Sequence, residues 1–526
     1  MKTALRKYLA IVLVFIIVTS VCLLFSTRKE GMFIDEIYTY GLSNNSCGPF
    51  LRDMKGGNIV DTVFSREELI DYVSVTGDEG FDFASVYYNQ VNDVHPPLYY
   101  WLFNIASSLV PGTFSKWTGL ALDYVIYMLC LFVLYKLVRK LHGSRENAAA
   151  AAVLYGLSLM GLSTMLMIRM YVLLTLLTLC LAYLMACMLE DFRPLHAILS
   201  GLCLLAGLMT QYYFVFYAFF LCGCYVFFCL FKKDWRALRW FVPCALIGAM
   251  SLLVFFPAAL DHLFSGKLVS GDSAMDNLLN FAQYPARLKT FIFGTHHGMK
   301  GPIYVGVAAI AALALLIKKL CAGLREKRFC MGWLVIIVPA FVTFLLVAII
   351  SPVDELRYVY NIAPIFVLAV SFVLYLIEEC IDEKHRSYIK KNAALACIAL
   401  FALWQARCAP PDYLYPEYAD YNAVLAEYAQ APCVYLSENH FEPITQDLLQ
   451  LMTFDEFYVT EDDCIKNALD YIGTADKAVV YIDISEFWSS GYDDEALIRS
   501  IADMSDFDSA EVLYQNGLSA TYVISR

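Results

Sequence analysis

The sequence predicts a polytopic α-helical membrane protein with helices in its external loops and a small C-terminal α/β domain. Three observations carry this expectation. The 526 residues are 60% hydrophobic with a mean hydropathy of +0.57, more apolar than soluble domains usually are. The apolar residues gather into blocks of roughly 16 to 22, the length that crosses a hydrocarbon core of about 30 Å as a helix. The net charge of −12 is also unevenly divided. From Cys408 onward there are 23 Asp and Glu against 4 Lys and Arg, a balance of −19, and the remainder carries +7. A basic membrane part therefore precedes an acidic tail, and neither has the dense basic patch of a nucleic-acid binder.

Taken in order, spans are expected at 8–26, 117–138, 148–166, 171–189, 195–212, 213–231, 240–258, 302–317, 331–350, 358–377 and 392–407, about eleven in all. The first begins basic and apolar like a signal peptide. Its run from Tyr8 to Phe25 is long for one, and no small-x-small cleavage site follows, so it reads as an uncleaved span. Pro97 to Val110 is apolar but short for a span, and Pro96, Pro97 and Pro111 bracket it. It reads as a helix in the external interface.

Charge sets the orientation, because Lys and Arg favour cytoplasmic loops. Lys2, Arg6 and Lys7 precede the first span. Counting alternately from there, one side receives Arg139-Lys140-Arg145, Arg193, Lys232-Lys233-Arg236-Arg239, Lys318-Lys319-Arg325-Lys327-Arg328 and Lys384-Arg386-Lys390-Lys391. The expected topology has the N-terminus cytoplasmic and the C-terminal domain external, in a multi-pass protein of the plasma membrane.

The expected organisation is a membrane domain over 1–410, with a first external loop at 26–116 and a second large one at 259–301, followed by an acidic α/β domain over 411–526. In the tail, short runs with strand character (434–436, 478–482, 521–524) alternate with helix-like stretches such as 418–428 and 495–504. Most of the 17 cysteines lie in apolar blocks, where they behave as small hydrophobes. No zinc spacing appears, and Cys47, Cys408, Cys433 and Cys464 outside the blocks leave their pairing open.

Two strings in the first external loop carry potential chemistry: Phe33-Ile34-Asp35-Glu36-Ile37-Tyr38 and Asp93-Val94-His95-Pro96-Pro97-Leu98-Tyr99-Tyr100-Trp101. Both are expected near the outer headgroups, where a base meets a substrate whose lipid tail stays in the bilayer. A carboxylate within hydrogen-bond reach can take the proton of an acceptor hydroxyl or amine. Neighbouring like charge and partial burial push a carboxyl towards useful basicity. The plain alternative is a solvated acidic pair and a Pro-started helix. Two arginines, Arg169 in Met167-Ile168-Arg169-Met170-Tyr171 and Arg357 in Asp354-Glu355-Leu356-Arg357-Tyr358, fall on the same face. An Arg at membrane depth is costly, and its fork of donors suits a phosphate. A snorkelling anchor is the alternative for both, or for Arg357 a local pair with Asp354 or Glu355. Tyr212 in Gln211-Tyr212-Tyr213-Phe214 is an interface aromatic or a sugar contact. His262, His296 and His297 with Asp261, Asp272 and Asp276 share the second loop but match no compact metal motif, leaving a divalent metal open.

Asp35-Glu36 after the first span, Asp93-x-His95-Pro96-Pro97-Leu98-Tyr99-Tyr100, Arg169-x-Tyr171 and Arg357-Tyr358 together resemble the GT-C glycosyltransferases of the protein O-mannosyltransferase superfamily. The resemblance is strongest to the bacterial branch, which includes the lipid A aminoarabinose transferases, and covers roughly residues 1 to 410. It implies a GT-C-like fold and transfer of a sugar from a polyprenyl-phosphate carrier, without nucleotide sugar, to an acceptor on the external face. It further implies Asp35 as general base beside Glu36, inversion at the anomeric carbon, and Arg169 and Arg357 on the phosphate. Asp93, His95, Tyr171, Tyr212 and Tyr358 would bind substrate, and no cofactor is assigned beyond the divalent metal left open. His95-Pro-Pro is followed by Leu-Tyr-Tyr rather than the Leu-Gly-Lys type of eukaryotic protein mannosyltransferases, so the acceptor stays open among lipid, glycan and protein. Two other readings compete. A flippase or transporter for a lipid-linked saccharide would need charges near the bilayer midplane, and Asp123 and Lys136 are near span edges. A non-catalytic envelope polysaccharide assembly protein would not need Asp35.

Overall fold

The computed structural model describes residues 2–264, 275–298, 331–379, 410–485 and 492–526. The chain forms two compact units. One comprises Met1–Thr27, Val94–Tyr99 and Leu120–Asp412, and the other Arg28–Asp93, Tyr100–Gly119 and Tyr413–Arg526. Of the first external loop, counted with the membrane domain from sequence, residues 28–93 and 100–116 thus group with the tail, and Val94–Tyr99 with the helices.

The first unit is helical. Among the described residues six helices are long and apolar enough to cross a membrane, and up to seven if one bent pair counts as a span. They are Lys116–His142, Tyr171–Glu190, Phe214–Lys232, Trp235–Phe255, Gly332–Ile350 and Leu356–Val373. The bent pair, Arg145–Gly156 and Leu159–Leu166, covers the span expected at 148–166 but turns by 61°. Its cause is local: Ser158 Oγ accepts the Gly161 N–H at 3.0 Å and caps a new helix start. The span expected at 195–212 is the shorter helix Pro194–Leu208, and the first span lies in Lys2–Thr27. The spans expected at 302–317 and 392–407, and Asp272, lie outside the described residues.

Packing in this unit follows membrane rules. Helices Pro194–Leu208 and Trp235–Phe255 approach so closely at Gly201 and Gly248 that a Cβ on either would strike backbone of the other helix. Small residues permit such contact where lipid tails supply no hydrophobic drive. Phe219, Phe227, Phe231, Ile247 and Val254 point outward and are each more than 65% exposed, a surface suited to lipid rather than water.

The second unit holds a six-stranded sheet in the order β1-β3-β2-β4-β6-β5. The strands are β1 (Thr62–Ser65), β2 (Cys433–Leu436), β3 (Glu456–Thr460), β4 (Lys477–Asp483), β5 (Ser509–Gln515) and β6 (Ser519–Ser525). Strands β3, β2 and β4 run parallel, with Val434 paired to Tyr458 on one side and Val480 on the other. Every residue of β2 is buried, as a central parallel strand requires. Strand β1 comes from the first external loop and pairs antiparallel with β3, Thr62 opposite Val459. It covers an edge that would otherwise be open to other strands. Asp61, just before it, accepts bonds from the Tyr458 hydroxyl at 2.6 Å and the Thr460 hydroxyl at 3.0 Å. The helices Ile465–Ile472 and Asp494–Asp503 lay Ile465, Ala468, Ile472, Leu497 and Ile501 against the sheet. Cys47 is exposed and Cys433 is buried within β2, each as a free thiol.

Asp447 is buried in this unit, where its carboxylate accepts from the Tyr435 hydroxyl at 2.9 Å and the Asn516 amide at 3.1 Å. Burial pushes its carboxyl up to about 6. The folded state thus holds this proton more tightly than the unfolded chain. The associated stability is complete below the ordinary value of 3.8 and is lost as pH rises through about 6. Two pH units correspond to a stability difference on the order of 3 kcal/mol. Asp447→Asn should therefore unfold at a higher temperature than wild type at pH 7, with the difference shrinking towards pH 4. Thermal scans of the full chain across that range check this.

Candidate active site

The acidic pair opens the helix Ile34–Asn44, and the structure gives its two members different work. Phe33 is the extended residue before the helix, and Glu36 at the third helical position reaches back to it. Glu36 Oε2 accepts the Phe33 N–H at 2.7 Å, half of a capping box. The same oxygen takes the Lys29 ammonium at 3.0 Å, with both side chains 0% exposed. Lys29 Nζ also donates to the Tyr413 carbonyl at 2.6 Å. Glu36 is therefore a buried post that holds the helix start. Its charge faces an ammonium, so the like-charge repulsion expected between the two neighbours is offset. Asp35 lies in the first turn, half-buried, where the helix dipole favours an anion. Asp93 is buried at the end of the helix Phe83–Asn92 in the same unit.

In the helical unit, His95 and Arg169 come together. Arg169 Nη2 lies 3.5 Å from His95 Nδ1, and Arg169 is 3% exposed. The arginine occupies the short break between helices Leu159–Leu166 and Tyr171–Glu190, its N–H on the Met167 carbonyl at 2.7 Å. The segment bearing His95 is anchored just beyond its prolines. Leu98 N–H donates to the Met209 carbonyl at 2.9 Å, and the Tyr99 hydroxyl donates to Asp123 Oδ1 at 2.7 Å. Asp123, a charge within a span, is thus engaged as a structural acceptor.

The remaining sequence-selected residues cluster around the 3₁₀ segment Leu356–Ile362, which packs against helix Tyr171–Glu190. Arg357 is 9% exposed and pairs with Glu355, Nε to Oε2 at 2.8 Å. The local ion pair expected as one alternative is therefore formed. The guanidinium also lies 5.5 Å from the Tyr358 ring centroid. Tyr358 stands 5.1 Å from Tyr213, and Tyr171 stands 6.3 Å from Tyr360, as ring centroids. Tyr212 bonds through its hydroxyl to His262 Nδ1 at 2.9 Å.

Sequence reasoning passed over two residues here. Arg287 is a strut: it bonds Ser351 Oγ at 2.9 Å and pairs with Asp354 at 3.1 Å. Asp412 follows the last expected span, where its N–H donates to Ser163 Oγ at 2.9 Å. With His297, Tyr360 and Met160 it lines a cavity of about 90 Å³. Burial pushes its carboxyl up, against the opposing pull of Ser163. A lone acid between two prolines and a tyrosine offers no periodic signal that would have marked it. Among the described residues, no three His, Cys, Asp or Glu side chains group as a metal would need.

Residues 94–260 match the family described as dolichyl-phosphate-mannose-protein mannosyltransferase. The resemblance carried by the motifs to the protein O-mannosyltransferase superfamily is met by that match, which includes His95, Arg169, Tyr171 and Tyr212. No curated protein matches the chain in sequence. Among solved structures, similarity extends to ArnT from Cupriavidus metallidurans bound to undecaprenyl phosphate. That alignment has a TM-score of 0.46 at 12% identity over 97% of both chains. The Archaeoglobus fulgidus oligosaccharyltransferase gives 0.43 at 10% identity, over 92% of this chain and 70% of that one. Arabinofuranosyltransferase AftD from Mycobacteria gives 0.42 at 13% identity, over 97% of this chain and 40% of that one.

The Lys29–Glu36 pair yields a stability expectation. Removing one partner of a buried pair strands the other charge, at a cost of about 3–5 kcal/mol. Lys29→Met should lower the thermal midpoint sharply. Lys29→Met with Glu36→Gln should recover part of the loss, because the amide oxygen still accepts from Phe33 N–H. A double variant no more stable than the single one would show that the stranded charge is not the cause.

Proposed function

We propose that this chain, matched over residues 94–260 to a family named for a lipid-phosphate-linked mannose donor, is a membrane glycosyltransferase. It moves a sugar from a polyprenyl-phosphate carrier to an acceptor on the external face, with about eleven spans, the N-terminus cytoplasmic and the C-terminal domain external. The observation that carries the reading is the buried Arg169 held beside His95 within the matched stretch. Guanidinium and imidazole side by side offer nitrogen donors that suit an anionic phosphate. A groove of about 380 Å³ supports a prenyl carrier. Its walls are Phe219, Phe227 and Phe228 on one helix and Leu334, Val335 and Val338 on another, with almost no polar surface.

In this mechanism the acceptor hydroxyl gives its proton to the Asp35 carboxylate. The oxygen attacks the anomeric carbon from the side opposite the phosphate. The bond from that carbon to the phosphate oxygen breaks, and the electron pair leaves with the lipid phosphate, so the configuration inverts. Arg169 and Arg357 stabilise the charge growing on the phosphate, with His95 donating from beside Arg169 when protonated. Glu36 acts through the helix it holds, as a positioning residue. Asp93, Tyr171, Tyr212 and Tyr358 shape the donor and acceptor surroundings.

Two expectations follow. With purified protein and a polyprenyl-phosphate mannose, Asp35→Asn should lower turnover by about 10²–10⁴-fold, the usual contribution of a positioned base. Turnover equal to wild type would remove Asp35 from that role. Arg169→Lys keeps the charge but loses the planar fork. It should reduce kcat/KM for the donor by about 10²-fold, with a wild-type thermal midpoint. An unaltered kcat/KM would reassign Arg169 to packing.

A further inference from the structure

The strand order of the second unit brings a group of polar side chains together at one end of the sheet. From β2 the chain passes through the helices Phe441–Gln446 and Leu448–Leu451 to β3 on one side. It then returns through Ile465–Ile472 to β4 on the other side. The adjacent parallel strands β2 and β4 thus connect onward in opposite directions across the sheet, β2 to β3 and β4 towards β5 and β6. In open sheets with parallel neighbours, the crevice beyond such diverging ends is where ligands bind.

The side chains gathered there are polar. Ser437 follows β2 and is fully buried, and Asp483 ends β4 and is 2% exposed. Asp483 Oδ2 accepts the Ser437 hydroxyl at 3.2 Å, and Oδ1 accepts the Ser485 N–H at 2.9 Å. His440 Nδ1 lies 3.5 Å from Asp483 Oδ2, within ion-pair reach. Glu442 stands in the same field: burial pushes its carboxyl up, while the charges of His440 and Arg52 oppose the shift. Arg52, from the first external loop, is fixed over the Phe441 ring at 4.7 Å. The floor is thus Ser437 and Asp483, and the half-exposed rim is His440, Glu442 and Arg52.

We propose that Ser437, His440, Glu442, Asp483 and Arg52 form a saccharide-binding subsite for the acceptor. Capping of the β4 end by Ser437 and Ser485 accounts for Asp483 alone. It does not account for the gathering of Glu442, His440 and Arg52 at the same end of the sheet. Carboxylates accept, and imidazole and guanidinium donate. Adjacent sugar hydroxyls do both, whereas a phosphate would meet two acids at close range.

The subsite also borders the helix that carries Asp35. Helix Phe441–Gln446 packs on helix Ile34–Asn44, with Tyr38 centred 6.5 Å from Phe441. Asp35 and Tyr38 are three apart and share a helix face. Burial first, then the Glu442 carboxylate, push the Tyr38 hydroxyl well up. A sugar held by the rim would lie beside the face bearing Asp35. Its assignment as acceptor rests on the proposed glycosyltransferase reading, but its existence as a sugar site does not.

Saturation-transfer NMR on the full chain in detergent tests the subsite. The probes are methyl α-mannopyranoside, methyl β-glucopyranoside and methyl N-acetyl-β-glucosaminide, with glycerol as the non-sugar control. At least one glycoside should receive saturation well above glycerol. That signal should fall by about fivefold or more in His440→Gln, Glu442→Gln and Asp483→Asn variants that keep the wild-type thermal midpoint, matching loss of a charged hydrogen bond. If Asp483→Asn does not fold, the two rim variants decide. No glycoside above glycerol, or wild-type transfer in the folded variants, overturns the proposal. Consumption of polyprenyl-phosphate mannose is followed in parallel. No consumption by wild type, with glycoside binding lost in the variants, removes the enzyme reading and keeps the sugar site. Consumption with unaffected binding in the variants removes the sugar site alone.

Discussion

The contact on which most of the second unit depends is the Lys29 ammonium, buried with Glu36 and the Tyr413 carbonyl. It joins residues 384 positions apart in sequence. Burying two charges is unfavourable unless each is paired and its remaining hydrogen bonds are met. Here the ammonium takes a carboxylate and a carbonyl, and the carboxylate also takes a backbone N–H. The start of the first external loop, the start of the tail and the start of the helix bearing Asp35 are therefore set by one cluster. Moving any of them strands a charge in a dry interior.

The sheet extends this dependence. Strand β1 belongs to the loop and β2 to β6 to the tail, so neither segment makes the whole sheet. Asp61 secures the junction through hydroxyls of β3. The tail's balance of −19 is tolerated because its core is apolar, made of Val434, Leu436, Val480, Ile482 and Ile524 among others. Most of its acids are on the outside, while Asp447 and Asp483 are buried against hydroxyl and amide donors.

In the helical unit the constraint is different. Helices are held by close backbone approach at Gly201 and Gly248 and by a broken span that ends where Arg169 begins its turn. The irregular stretch that follows the bent pair, between Leu166 and Tyr171, seats Arg169 beside His95. The polar groups freed by the bend within the pair need partners, and Ser158 supplies one.

Much of this was legible in the residues. Block length and hydropathy locate spans, because a helix must cover a fixed thickness of hydrocarbon. Short runs with strand character mark β2, β4 and β6, and the motif strings single out Asp35, His95 and Arg169. Strands β1, β3 and β5 escaped notice because short runs of mixed polarity resemble loop until a partner pairs with them. By adjacency alone one of Asp35 and Glu36 could act as base while the other orients a partner, and the resemblance pointed to Asp35 as the base. Only the tertiary structure pairs Glu36 with the buried Lys29 ammonium. The same holds for Arg357 with Glu355 and for Asp412. The chain by itself determined which residues belong in lipid and which acids and bases are available. The fold decided which of those charges are paired and buried, because pairing depends on distances between residues far apart in sequence.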